Sequence, residues 1–260
     1  MARRVRLDQL LVQRDLAPSR ERAQALILAG AVRVAGDRAD RAAAPVPEDV
    51  DLVVEKGPRY VSRGGDKLAG ALEAFGLDVR GKVAIDVGSS TGGFTDVLLQ
   101  GGAARVHAVD VGKGQLDWRL RNDSRVVVHE GVNAREGVPV EEPVDLVVAD
   151  VSFISLRLAL PPALAKVRDH GAVVALVKPQ FEAGREAVGK GGVVRDPEAR
   201  AGAVVAVARD LASQGFGIIA VAPSPIAGRE GNREIFLHAR KGAEGLSADA
   251  LAAAAREAAR

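Results

Sequence analysis

The 260-residue sequence contains no cysteine. Disulfide bonds and thiolate metal sites are therefore excluded, and the absence is typical of a cytoplasmic protein. The four histidines are scattered, at His107, His129, His170 and His238, and show none of the spacings typical of metal ligands. No metal site is expected.

Long apolar runs are also missing, since no stretch reaches the roughly 18 apolar residues that a membrane span requires. Residues 1–16 are charged throughout and lack the apolar centre of a secretory signal. The net charge of +2 is too small to indicate nucleic-acid binding by itself. However, residues 1–38 hold eight arginines and only four acidic residues. A basic N-terminal segment in an otherwise nearly neutral chain suggests that residues 1–38 bind a partner.

Residues 82–100 form the stretch around which the chain is organised. An apolar run, residues 83–85, ends in Asp86, and a loop of small residues follows. From Phe94 the apolar residues recur at helical spacing, so the pattern predicts a strand, a tight loop and a helix. Glycine permits sharp turns and the close approach of a ligand. A loop at the carboxyl end of a strand is where open α/β sheets bind their ligands.

The spacing within this loop excludes two kinds of ligand site. A phosphate loop requires a lysine after its last glycine, and none follows Gly92 and Gly93. The dinucleotide fingerprint fails because Ser90 stands where its second glycine should be. The remaining pattern, an acid followed by Gly88-x-x-x-Gly92-Gly93, resembles the first motif of S-adenosylmethionine-dependent methyltransferases.

A second acid supports this resemblance. Residues 105–110 read as the next strand, and its last residue, Asp110, lies about 20 residues after the loop, where ribose hydroxyls are usually held. The alternative is a structural strand-turn-helix that binds nothing. The residues that the resemblance assigns to the cofactor are Asp86, Gly88, Ser89, Ser90, Gly92, Gly93, Phe94, Asp110, Val111, Asn133, Ala134 and Asp150.

The rest of this region predicts alternating strands and helices. Strands are expected at 126–129, 145–150 and 172–177, helices at 156–167, 197–213 and 246–260, and a final hairpin-like pair at 216–221 and 234–239. Trp118 is expected to pack in the protein rather than to stack on a ligand. The alternation indicates an α/β fold with a parallel, Rossmann-like methyltransferase sheet that ends in an antiparallel element. A small α+β domain, residues 1–55, precedes it.

The small domain has two predicted helices, the second capped by Ser19. Its pattern, RLDQLL followed by SRERAQALILAGAVRVAG, resembles the S-four-type RNA-binding domain known from a small-subunit ribosomal protein and from pseudouridine synthases. The resemblance implies that arginines face RNA phosphates, which suits the fork-shaped guanidinium. The alternative is an ordinary solvated face. The arginines concerned, with Arg63 from the following segment, are Arg4, Arg6, Arg20, Arg22, Arg33 and Arg63.

Charged residues meet again at the ends of later strands. Lys178 ends a buried strand, which is unusual for a lysine without a partner, and Asp150 on a neighbouring strand could be that partner. Lys67 and Glu234 could reach the same place from either flank. These four residues match, in order, the Lys-Asp-Lys-Glu tetrad of the FtsJ-type 2′-O-ribose methyltransferases. The stretches DVGSSTGGFTD and VKPQFEAG also resemble that family. With the N-terminal module, the chain resembles the TlyA family of ribosomal RNA methyltransferases, historically labelled hemolysins.

The TlyA resemblance implies methyl transfer from S-adenosylmethionine to a cytidine ribose of ribosomal RNA, with ribosomal subunits as partners. A ribose 2′-hydroxyl is a weak acid, so a base must remove its proton. A lysine can do this near neutral pH when burial or a neighbouring cation lowers its pKa from about 10.4. The resemblance assigns Lys178 as the base and Asp150 as its orienting partner. Lys67 and Glu234 would position the ribose.

The expected domains are an RNA-binding domain at 1–55, a linker at 56–62, a methyltransferase domain at 63–245 and, at 246–260, a C-terminal helix or tail that can fray. Two other classes of function remain as alternatives. One is a non-catalytic RNA-binding or ribosome-assembly factor, which loss of a tetrad member would favour. The other is a membrane-active hemolysin, for which the alanine-rich tail is the only candidate segment. Residues 60–240 do not resemble the catalytic domain of a pseudouridine synthase.

Overall fold

The computed structural model describes residues 3–55, 57–228 and 230–260. The chain divides into two compact units, Met1–Arg59 and Tyr60–Arg260. The expected linker, residues 56–62, therefore spans this division, and its first residue, Lys56, lies outside the described residues.

The first unit is a small α+β domain. Its elements are β1 (Arg4–Arg6), α1 (Leu7–Gln13), α2 (Arg20–Leu28), β2 (Val32–Val34), β3 (Asp37–Arg38), β4 (Pro45–Pro47) and β5 (Leu52–Val54). Strand β2 pairs antiparallel with β3 and β5, and β1 pairs antiparallel with β4. The two helices cover a core that includes Leu7, Leu11 and Ile27.

A buried carboxylate joins the two helices of this unit. Asp8 is fully buried on α1 and accepts hydrogen bonds from Arg6 at 2.8 Å, Arg20 at 3.3 Å and Gln24 at 3.0 Å. The Arg6 hydrogen bond is the main reason that the pKa of Asp8 lies well below its usual range. Asp8 therefore holds two of the arginines that the sequence assigns to RNA.

The second unit is built on a seven-stranded sheet. Its strands are β6 (Val83–Val87), β7 (Arg105–Asp110), β8 (Val126–Glu130), β9 (Val144–Ala149), β10 (Val167–Val177), β11 (Phe216–Pro223) and β12 (Ile235–Lys241). Their order in the sheet is β11-β12-β10-β9-β6-β7-β8. Neighbours from β10 to β8 run parallel, whereas β12 is antiparallel to both β10 and β11. This confirms the predicted parallel sheet with an antiparallel element at its end.

Helices cover both faces of this sheet. They are α3 (Arg63–Ala74), α4 (Gly93–Gln100), α5 (Trp118–Arg121), α6 (Leu156–Ala159), α7 (Pro161–Leu164), α8 (Pro179–Glu182), α9 (Pro197–Ser213) and α10 (Ala248–Ala258), with a short 3₁₀ turn at Arg185–Ala187. Because side chains alternate along a strand, Ala84 of β6 belongs to the apolar cluster that includes α3 and α4, whereas its neighbour Ile85 belongs to the other cluster, which includes α9 and α10.

Two sequence-based expectations for this unit are wrong. The single helix expected at 156–167 is two short helices, because Pro161 lacks the N–H group that a continuing helix needs and instead begins α7. Trp118 does not pack, since it is 71% exposed at the start of the one-turn helix α5, whereas Leu120 of this helix and Leu116 just before it are buried. Helix α10, the predicted C-terminal helix, packs Leu251 and other apolar residues into the core.

No helix among the described residues is both long and apolar enough to cross a membrane. The alanine-rich segment that the sequence offered for membrane contact is α10, and its apolar face is covered by α9 and β11. This face is therefore already used within the fold.

Candidate active site

A cleft of about 1000 Å³ opens at the carboxyl ends of β6, β7, β9 and β10. It is lined by all four residues of the predicted tetrad and by every predicted cofactor residue except Asp86 and Gly92. Arg63, at the start of α3, also lines it. The parallel strands explain this convergence, because their carboxyl ends meet at one edge of the sheet.

The glycine-rich loop forms one wall of the cleft. Gly88 has φ +84° and packs so closely on β9 that a Cβ would lie 2.6 Å from the backbone oxygen of Asp150. Gly92 has φ +96°, and its missing side chain leaves room for Leu116 and Leu120. Gly92 is therefore required for packing behind the loop and does not face the cleft.

Asp110 ties the loop to the end of β7. Its carboxylate accepts hydrogen bonds from the backbone N–H of Ser90 at 2.8 Å and of Gly112 at 2.7 Å. Each oxygen can accept a further hydrogen bond, so Asp110 can both order the loop and bind a hydroxyl in the cleft. Beside it, Asn133 is braced by hydrogen bonds to Glu136 and to the backbone N–H of Arg135.

Asp86 lies beneath the cleft rather than in it. It is fully buried, and its alternating position on β6 directs it toward α4, where it accepts a hydrogen bond from the Thr95 hydroxyl at 2.7 Å. The other carboxylate oxygen has no hydrogen-bond partner among the described residues. Burial raises the pKa of Asp86 to about 7, although the Thr95 hydrogen bond opposes the rise.

This buried acid predicts a pH dependence of stability. The unfolded chain releases the Asp86 proton near pH 3.9, whereas the folded chain keeps it to about pH 7. The free energy of unfolding should therefore fall as pH rises between these values and then level off. We expect Asp86→Asn to remove this loss and to exceed the wild type in stability at pH 8 by roughly 1–3 kcal/mol. Urea unfolding at pH 5 and pH 8 would measure it.

Other titrating groups are common to both proteins, so the variant-minus-wild-type difference isolates Asp86. Thr95→Val removes a hydrogen bond that favours the ionised form, and should extend the pH-dependent range upward. Equal pH slopes for the wild type and Asp86→Asn would contradict the assignment.

Two ion pairs organise the tetrad. The Lys178 ammonium lies 2.6 Å from Asp150 and donates a hydrogen bond to the Ser152 hydroxyl at 2.8 Å. The Lys67 ammonium donates to Glu234 at 2.5 Å. The Lys67–Glu234 pair is the more buried of the two, with side-chain exposures of 11% and 3%. Each cation of the tetrad is therefore matched by a carboxylate in the same cleft.

The structure adds cleft residues that sequence reasoning missed. Phe153 is 91% exposed at the rim, has φ +66°, and lies with its ring centroid 5.4 Å from that of Phe181. A left-handed conformation is rare for a bulky residue and marks local strain. Asn232 is almost fully buried behind the cleft. The only sequence signal for these residues is their place just after β9 and just before β12.

The six arginines assigned to RNA have different environments. Arg6 and Arg20 remain 43% and 49% exposed while bound to Asp8. Arg33 pairs with Glu55, and Arg63 of the second unit donates to the backbone oxygen of Ala227 at 3.0 Å. Arg4 and Arg22 are exposed, and within the described ranges their guanidinium groups make no hydrogen bond or ion pair.

Within the described residues, no group of three or more histidine, cysteine or acidic side chains is arranged to hold a metal ion. His107 lies 3.1 Å from His129 and 2.9 Å from Glu142, and thus takes part in a local hydrogen-bond network. His238 is buried and packs on Phe75.

The fold and the cleft together define a methyltransferase-type domain, and comparison with known proteins agrees. Residues 60–241 match the FtsJ-like methyltransferase family, and residues 5–52 match the S4 domain. The chain is 51% identical over 244 residues to the 16S/23S rRNA (cytidine-2′-O)-methyltransferase TlyA of Mycobacterium tuberculosis, covering 92% of this chain and 91% of the relative. Hemolysin A of Brachyspira hyodysenteriae is 39% identical, with coverages of 90% and 99%.

A solved structure of a hemolysin-named protein from Streptococcus thermophilus superposes with a TM-score of 0.73 at 39% identity, covering 99% of this chain and 96% of the other. The chain belongs to the FtsJ-like methyltransferase family and, within it, to the TlyA group. The family resemblance drawn from the sequence motifs is confirmed.

Proposed function

We propose that this protein transfers a methyl group from S-adenosylmethionine to the 2′-hydroxyl of a cytidine in ribosomal RNA. The observation that carries the proposal is the presence of the Lys178–Asp150 and Lys67–Glu234 pairs in one cleft with the glycine-rich loop. The TlyA relative that shares 51% identity is named for this reaction.

The cleft residues fit S-adenosylmethionine as the cofactor. Asp110 offers acceptor oxygens to ribose hydroxyls, and Asn133 lies beside it with an amide suited to a base edge. Gly88 and Ser90 bring the loop backbone to the cleft wall. When bound, the cofactor supplies a sulfonium methyl that is already activated for transfer, so the protein's task is alignment and removal of one proton.

Lys178 is the proposed base. After Nζ releases its own proton to solvent, the neutral amine would take the proton of the 2′-hydroxyl, and Asp150 at 2.6 Å would orient it and stabilise the resulting ammonium. The Lys67–Glu234 pair, on the flank formed by α3 and β12, would hold the ribose. Both pairs have low exposure to solvent. Because little water screens the charges, the electrostatic attraction within each pair is stronger.

The first unit would supply RNA affinity. Its exposed arginines, with Arg4 and Arg22 free of internal partners in the described part of the chain, are suited to phosphate contacts that carry no sequence information. Arg63 and the exposed ring of Phe153 extend the polar and aromatic surface at the rim of the cleft. Aromatic faces stack on unpaired bases.

The test is methyl transfer from labelled S-adenosylmethionine to small and large ribosomal subunits purified from a strain that lacks this gene. We expect label on 2′-O-methylcytidine after nuclease digestion, at a position that sequencing of the modified RNA then identifies. No label on either subunit or on free ribosomal RNA, with cofactor binding intact, would overturn the assignment. That outcome would favour the non-catalytic RNA-binding alternative.

A further inference from the structure

We propose that Asn232 is a positioning residue for methyl transfer. It connects the cleft loop at residues 189–194 to the turn closed by the Gly228–Asn232 backbone hydrogen bond, and so fixes the position of the cleft wall behind Glu234. The inference rests on the proposed function and deepens it on the ribose side of the cleft. It assigns the residue a role through Glu234 and not a contact with the reacting atoms.

Both polar atoms of the Asn232 side-chain amide make hydrogen bonds. Its oxygen accepts a hydrogen bond from the backbone N–H of Val194 at 3.0 Å, and its nitrogen donates to the backbone oxygen of Gly192 at 2.8 Å. Its own backbone oxygen accepts from Gly228 N–H at 2.9 Å. With only 2% of its surface exposed, Asn232 makes these bonds away from competing water.

The turn that Asn232 closes packs directly on the tetrad. A Cβ on Gly228 would lie 2.6 Å from a carboxylate oxygen of Glu234, so the Gly228 backbone forms the surface against which that carboxylate rests. Arg63 also stabilises this region, since its guanidinium donates a hydrogen bond to the backbone oxygen of Ala227, the residue before Gly228. A shift of this turn would move Glu234 and, through their 2.5 Å hydrogen bond, Lys67.

The loop on the other side of Asn232 depends on buried polar contacts. Gly191 and Gly192 have φ +79° and +74°, and their Cβ positions have no atoms within 4 Å, so apolar packing does not hold them. Arg200, only 7% exposed, donates to the backbone oxygens of Val194 at 3.2 Å and of Ala259, at the end of α10, at 2.8 Å. Asn232 and Arg200 thus both hold the backbone of this loop in place by hydrogen bonds.

The cofactor end of the cleft is ordered by different contacts. Asp110 and the glycine-rich loop hold each other through the Ser90 and Gly112 amides, and neither touches Asn232. Loss of the Asn232 bonds should therefore affect alignment of the ribose and leave cofactor affinity unchanged.

The experiment compares Asn232→Ala and Asn232→Asp with the wild type. For Asn232→Ala we expect kcat on ribosomal RNA to fall about tenfold to a hundredfold, because small misplacements of reacting groups cost that much. The Kd for S-adenosylmethionine, measured by calorimetry, should change less than about twofold, because binding at the cofactor end is untouched. The matched control is Asn122→Ala, whose amide donates to the Trp118 backbone oxygen outside the cleft.

Asn232→Asp gives a readout that a general loss of structure would not. A protonated carboxyl has one O–H donor and one acceptor, as the amide has, whereas an ionised carboxylate only accepts. The kcat of Asn232→Asp relative to the wild type should therefore rise as pH is lowered from 8 to 6. The same ratio for Asn232→Ala should stay constant.

Hydrogen exchange separates this proposal from the proposed function. We expect peptides covering 188–195 and 226–234 to exchange faster in Asn232→Ala than in the wild type, with unchanged exchange at 82–100. This result would support the role of Asn232 in joining the two loops even if the wild type methylates no ribosomal RNA. Wild-type exchange in those peptides, or wild-type kcat in Asn232→Ala, overturns it. Weakened cofactor binding with unchanged kcat would also overturn it.

Discussion

Replacing Lys178 with methionine is expected to lower kcat for methyl transfer by about a hundredfold to ten-thousandfold, the usual contribution of a general base. The side chain keeps its approximate length but loses the nitrogen that would accept the 2′-hydroxyl proton. Single-turnover transfer from labelled S-adenosylmethionine to ribosomal RNA would measure the change. The cofactor Kd should stay within about twofold of the wild type, because the glycine-rich loop and Asp110 are unaltered.

Lys178→Arg distinguishes a base from a structural cation. Arginine can keep an ion pair with Asp150 but remains protonated, so it cannot accept the proton. We expect it to be folded and as inactive as Lys178→Met. The matched control is Lys166→Met, at the amino end of the same strand and outside the cleft. Recovery of near-wild-type kcat by Lys178→Arg would show that only the charge matters and would overturn the choice of base.

Breaking the Lys67–Glu234 pair is expected to have the second largest effect. Removing one partner leaves a buried charge uncompensated, so Glu234→Leu should destabilise the fold by about 3–5 kcal/mol. The double variant Lys67→Met/Glu234→Leu removes both charges and should recover most of this loss. Methyl transfer should be lost in both. Urea unfolding and the transfer assay, run on the same preparations, would separate stability from activity.

The single variant Lys67→Met completes a double-mutant cycle for this pair. The exposed pair between Arg256 of α10 and Glu198 of α9 is its control. Its nitrogen–oxygen distance is 3.1 Å, but its side chains are 58% and 67% exposed. Its coupling energy should stay below about 1 kcal/mol. A Lys67–Glu234 coupling as small as that of the control pair, or an active double variant, would contradict the role given to the buried pair.

Much of the fold was predictable because its signals are local. The apolar run, the acid and the glycines of residues 82–100 predicted β6, the loop and α4, and the alternation that follows predicted a parallel sheet. The arrangement of strands also explains why acids at strand ends meet at one edge. The error at 156–167 was local as well, since Pro161 and Pro162 carried the signal for a break and apolar spacing was given more weight.

One ion pair of the site, between Lys178 and Asp150, was predicted from the sequence, but the pairing of Lys67 with Glu234 was not. Lys67 and Glu234 are 167 positions apart, and they meet because the sheet places β12 next to β10 on the flank that α3 covers. In the same way, Asp86 was assigned to the cofactor from its strand-end position, but its side chain follows the alternation of β6 into the layer beneath α4.

The sequence by itself determined the order of strands and helices, the glycine-rich loop, the set of charged residues available for chemistry and the family. These depend on backbone preferences and on residues close together in the chain. Only the tertiary structure decided that Lys67 pairs with Glu234, that Trp118 is exposed, that Asp8 binds two arginines and that Asn232 joins two cleft loops. Those outcomes depend on strand order and on burial, which bring distant residues within hydrogen-bonding distance and remove competing water.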